Sequence, residues 1–84
     1  MIVVTFHSVS SALYLEKLLG ERQITCVVIP VPRELSSSCG YALEANTTDA
    51  AALTNFMNEH DVEWENMYRR EGGFTLIGQA TETI

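Results

Sequence analysis

Two stretches of helical spacing, each entered from a short apolar run and left into another, constrain the fold of this chain more than any other feature. Ile2–Phe6 is an apolar run of the kind that forms a strand buried on both faces, and Ser8 behind it suits a helix N-cap. At about 100° per residue, Val9, Ala12, Leu13, Leu15, Leu18 and Leu19 share one broad arc, with Tyr14, Lys17 and Glu21 outside it or at its margin. A helix over 9–22 follows. Glu16 falls inside the arc, so its head either reaches water at the end of the stripe or meets a cation. Thr25–Val31 is β-branched apart from Cys26 and Pro30 and predicts a second strand; Tyr41–Ala45 predicts a third. Asn46–Asp49 supplies capping side chains for a helix over 48–60, with Ala52, Leu53, Phe56 and Met57 on its apolar face. Val62, Trp64 and Tyr68 share strand parity, which predicts a fourth strand over Val62–Arg69. Asn66 on its buried side and Met67 on the other then imply a bulge. Glu71-Gly72-Gly73 turns the chain back, Phe74–Ile77 adds an edge strand, and the polar residues 79–84 fray.

The order strand, helix, strand, strand, helix, strand is that of an α+β, ferredoxin-like βαββαβ domain. Its sheet is antiparallel, both helices lie on one face, and Leu15, Leu19, Phe56 and Trp64 enter the core. Residues 1–84 are read as one domain. A chain this short buries only about 60–65 % of its unfolded surface, so a homo-oligomer would add to a modest core.

Composition narrows the partners. The net charge is −6, and Lys17, Arg22, Arg33, Arg69 and Arg70 are scattered, which leaves no basic stripe for nucleic acid. No apolar stretch reaches the roughly 18 residues of a membrane span, and no charged segment precedes the first apolar run; the expectation is a cytoplasmic chain without a membrane partner. Cys26 and Cys39 form no CxxC motif, which suits reduced thiols. Together with His7 and His60 they lack ligand spacing, so neither a metal nor a cofactor is expected. His60 suits a helix C-terminus. His7 is either a cap or exposed group, or a base for Cys39 if the fold unites them. Glu59, Asp61, Glu63 and Glu65 read as a solvated acidic face, the alternative being a surface for a basic partner.

One segment looks like a site. Pro30-Val31-Pro32-Arg33-Glu34-Leu35-Ser36-Ser37-Ser38-Cys39-Gly40 sets a cysteine in a turn-rich loop, whereas Cys26 sits in a strand as a small apolar filler. The thiolate is the nucleophile, and Arg33, the hydroxyls of Ser36–Ser38 and nearby amides are the groups able to favour it. Gly40 permits unusual dihedrals and close approach beside the sulfur. The alternative for Arg33 is a surface ion pair with Glu34 or another carboxylate.

This segment, with the opening strand, the helix SALYLEKLL and the strand ITCVVI, resembles the selenium/sulfur-carrier-like domains, which carry a proline-rich PvPRe segment ending in Ser-x-Cys-Gly. The likeness runs from about Ile2 to about Tyr68; where such sequences tend to have glycine after the first helix, this one has Gln23. The resemblance implies a βαββαβ domain in which Cys39 carries sulfur or selenium between donor and acceptor proteins, as a co-substrate rather than a turnover enzyme. The competing readings are a non-catalytic binding, regulatory or oligomerisation module with Cys39 incidental, and a cysteine redox sensor.

Overall fold

The computed structural model of the protein describes residues 1–80. The elements run β1 (Ile2–Thr5), α1 (Val9–Glu21), β2 (Cys26–Pro30), β3 (Tyr41–Ala45), α2 (Ala50–Glu59), β4 (Asn66–Arg70) and β5 (Phe74–Gln79). The five strands form one sheet in the order β2-β3-β1-β4-β5, antiparallel at every junction. This is the expected α+β ferredoxin-like arrangement, with β5 appended to the margin of β4.

Register fixes which face each strand presents. Val4 stands opposite both Leu43 and Met67, so these residues, with Ile2, Phe6 and Ala45, point to one side. Ala12, Leu15 and Leu19 of α1 and Leu53 and Met57 of α2 join them in a single buried cluster. Both helices therefore cover the same sheet face. The buried stripe of α1 is narrower than the sequence arc. Val9 and Leu13 are 40 % and 51 % exposed, because a helix lying on a sheet buries only the residues beneath its axis. Phe56 is half-buried at the rim of the core, and Trp64 is buried within it. Glu16 is half-exposed and makes no ion pair among the described residues.

The two helices stop by the same device. In α1 the Ile24 amide donates to Leu19 O (3.0 Å) and the Gln23 amide to Gly20 O (3.1 Å); in α2 the Val62 amide donates to Met57 O (2.9 Å) and the Asp61 amide to Asn58 O (3.3 Å). These are Schellman turns, whose closing residue must be left-handed. Gln23 (φ 60°) and Asp61 (φ 54°) take that conformation without being glycine. An L-residue there costs about 1–2 kcal/mol. Gln23→Gly should accordingly raise stability by up to about 1 kcal/mol in urea unfolding, and an unchanged or lower midpoint would show that the Gln23 side chain contributes more than its backbone costs.

The fourth strand differs from its sequence expectation. Val62–Glu65 is an extended lead-in, and pairing with β5 begins at Asn66. Asn66 faces away from the helices beside Thr5, whose buried hydroxyl accepts from the Asn66 amide (3.1 Å) and donates to its carbonyl (3.4 Å). The irregularity lies in the β4–β5 ladder: Met67 pairs with Gly78 and Tyr68 with Leu76, so the extra residue is Ile77 on β5. Gly78 packs beside Trp64: a Cβ there would lie 3.7 Å from the ring carbon Cη2, an ordinary contact, so crowding does not require the glycine. Gln79 belongs to β5; the frayed end expected over 79–84 otherwise falls largely on residues 81–84, outside the described residues.

Candidate functional site

The proline-serine loop returns the chain from β2 to β3 at the end of the sheet where β1 stops. Its base is closed by the Val31 amide donating to Gly40 O (3.0 Å), and a tight turn inside it by the Leu35 amide donating to Pro32 O (3.0 Å). Gly40 has φ +77° with open space where a Cβ would stand, so backbone conformation rather than crowding requires glycine. That left-handed residue folds Cys39 inward, where it packs partly against the core.

Ser37 ties the loop to β1. Its hydroxyl lies 2.8 Å from Phe6 O, 3.4 Å from Tyr41 O and 3.6 Å from Cys39 Sγ, and it accepts from the Cys39 amide at 3.4 Å. A hydroxyl has one proton, and the short contact directs it to Phe6 O. The Cys39 thiol in turn donates to Tyr41 O at 3.4 Å. In this resting geometry the sulfur is surrounded by acceptors; a half-turn of the Ser37 hydroxyl would aim its proton at a thiolate.

Glu65, on the lead-in to β4, is the residue that sequence reasoning misplaced. It is not part of a solvated acidic face: its side chain is 17 % exposed. Its carboxylate takes the Ser38 amide on Oε1 (3.1 Å) and the Ser38 hydroxyl on Oε2 (2.9 Å), directly beside Cys39. Burial pushes this carboxyl up, but the Ser38 amide and hydroxyl, His7 and the Ser37 hydroxyl together outweigh it and hold the pKa below the ordinary glutamate range. His7 Nδ1 lies 3.6 Å from Glu65 Oε2. The fold thus brings His7 to the loop's anchor rather than to the sulfur. Beyond Glu65 opens a cleft of about 710 Å³ lined by His7, Asn58, Glu63, Trp64 and Gln79.

Arg33 is exposed and, among the described residues, pairs with neither Glu34 nor any other carboxylate. Cys26 is half-buried on the edge strand β2, and its thiol donates to Glu16 O at 3.8 Å. Burial, and secondarily the Glu16 charge, push its pKa up. His60 caps α2 and packs its ring at a tilt of 56° against Phe56, 4.6 Å between centroids. Among the described residues no group of three His, Cys, Asp or Glu could hold a metal ion, and no helix is long and apolar enough to cross a membrane.

The two thiols should separate under a maleimide or iodoacetamide at neutral pH. Cys39 is expected to label several-fold faster, with Cys26 catching up only as the pH rises past the usual thiol range of about 8.5, because its raised pKa leaves less thiolate at neutrality. Peptide-resolved mass spectrometry reads both rates, and faster labelling of Cys26 would reverse the site assignment.

No curated protein and no solved structure matches the chain. Residues 1–69 do match a family described as Putative Se/S carrier protein-like, a span that takes in the whole βαββ portion, α2, the Cys39 loop and Glu65. On that match, the chain belongs to this family of selenium/sulfur-carrier-like proteins.

Proposed function

We propose that the protein is a sulfur or selenium carrier that holds the chalcogen on Cys39. The supporting observation is that the family match encloses a loop whose single thiol is folded against a hydroxyl able to turn toward it. The Cys39 thiolate would attack the outer sulfur of a donor persulfide, R–S–SH, forming Cys39–S–SH and releasing R–S⁻. No electrons are gained or lost overall. An acceptor nucleophile then takes the outer sulfur, and Cys39 leaves as thiolate; with selenium the adduct is a selenosulfide.

In this reading Ser37 supplies a hydrogen bond to the developing thiolate, Gly40 sets the backbone that orients the sulfur, and exposed Arg33 meets an anionic donor group on the same loop. The partners are donor and acceptor proteins, and the protein is a co-substrate of both. The experiment is loading by a persulfide-bearing donor enzyme, followed by transfer to an acceptor. An adduct that forms on Cys39 but that no acceptor removes would leave ordinary thiol exchange as its explanation.

A further inference from the structure

We infer that Glu65 is a latch on the Cys39 loop: its carboxylate holds Ser38 by two bonds, and releasing them exposes the thiol. This rests on the carrier reading for its purpose, but its geometry is independent of it. The Glu65 backbone is pinned on both sides, its amide donating to Thr5 O (2.7 Å) and its carbonyl accepting from Ala80 N (2.9 Å). The side chain therefore projects from a fixed base, through the amide and hydroxyl of the residue preceding Cys39. Two donors on one carboxylate are charge-assisted bonds, stronger than the neutral contacts made by Ser37. The latched thiol is half-buried and donates to Tyr41 O. The cleft on the far side of Glu65 gives the carboxylate room to turn away.

The ionisable groups that face that carboxylate are His7, just after β1, Cys39 on the loop and Glu63 in the same cleft, while Asn58 of α2 and Gln79 of β5 carry no charge. The lowered Glu65 pKa means the latch is fully set above the ordinary glutamate range and weakens as pH falls through the folded value.

The test is the iodoacetamide rate at Cys39 at neutral pH in the full chain, with Cys26 as internal reference. Glu65→Ala should label Cys39 about tenfold faster, the order expected for losing charge-assisted bonds, with Cys26 unchanged. Glu65→Gln keeps an acceptor for the Ser38 amide and should restore most of the wild-type rate. Equal acceleration by Ala and Gln would mean that only the charge acts on the thiol, and would overturn the latch. So would no acceleration, or parallel acceleration of Cys26 from general loosening. In the wild type, the Ser38 amide proton should move upfield on acidification with a midpoint below the ordinary glutamate range, and an amide blind to acid would also overturn it. The two readings fail separately. Loading of wild-type Cys39 by a donor with no effect of Glu65→Ala on labelling removes the latch alone. An unloadable Cys39 that labels faster in Glu65→Ala removes the carrier alone.

Discussion

Cys39→Ser should take up no chalcogen from a persulfide donor enzyme, while the wild type and Cys26→Ser each gain the mass of one sulfur atom per chain. Serine keeps the size and polarity of the side chain and retains an acceptor for the surrounding groups, so the loop, held by the Ser37 bond to Phe6 O and the Ser38 bonds to Glu65, is expected to stand unchanged. What it lacks is a sulfur to bond to sulfur. The loss should be complete rather than partial, because Cys26 is held as thiol by burial and the Glu16 charge. Intact mass before and after a thiol reductant measures the adduct and its reversibility. A Cys39→Ser chain that still loads would move the chemistry to Cys26. A wild type that never loads, but binds a partner equally well with serine at position 39, would favour the binding-module reading.

Phe6→Ala is expected to bring the domain close to unfolding. Phe6, just past the end of β1, is completely buried and is among the largest side chains of the core cluster that joins the sheet to both helices. Truncating a buried phenylalanine costs about 3–5 kcal/mol in lost transfer free energy and residual cavity. Small domains are held by about 5–15 kcal/mol in all. The urea midpoint should fall steeply with an unchanged slope, while Val27→Ala, at a position 48 % exposed on the uncovered face, should stay within about 0.5 kcal/mol of wild type. A shift for Phe6→Ala no larger than for Val27→Ala would mean that the core is not where the buried cluster lies. The loop contact at this residue uses the Phe6 carbonyl, so the side-chain loss would reach Cys39 only through general loosening.

Elements with one strong local signal were legible in the sequence, and relations between distant residues were not. Ser8 and the spacing of Ala12, Leu15 and Leu19 announced α1, and the glycine pair announced the turn into β5. Leu13 misled because helical periodicity states which residues share a face, not how much of that face a sheet can cover. Asn66 misled because parity was carried from Val62 and Trp64 across a segment that is not yet strand. Gln23 departs from the family pattern, and its left-handed backbone is the reason that a glycine suits the position. For the candidate site, the loop position of Cys39 and the left-handed backbone of Gly40 were readable from loop composition. Glu65 was not: it stands 27 positions from Ser38, in a run of alternating acids whose other members, among the described residues, carry no bond to the loop. Only the pairing of β1 with both β3 and β4 brings the two together.

The position of β5 carries a consequence for association. The family match stops at residue 69, before β5, and this strand occupies the margin that β4 would otherwise present. The margins that remain are both spoiled as templates for a foreign strand. β2 ends in Pro30, which has no amide hydrogen to offer, and β5 is put out of step by the extra residue at Ile77. Continuation of the sheet into another chain is thereby discouraged on both sides, a protection against amyloid-like stacking as much as against strand-swapped dimers. On the carrier reading, a donor or an acceptor approaches through the faces and the loop end, where Leu13 and Tyr14 lie on the outer side of α1 and Cys39 follows Ser38.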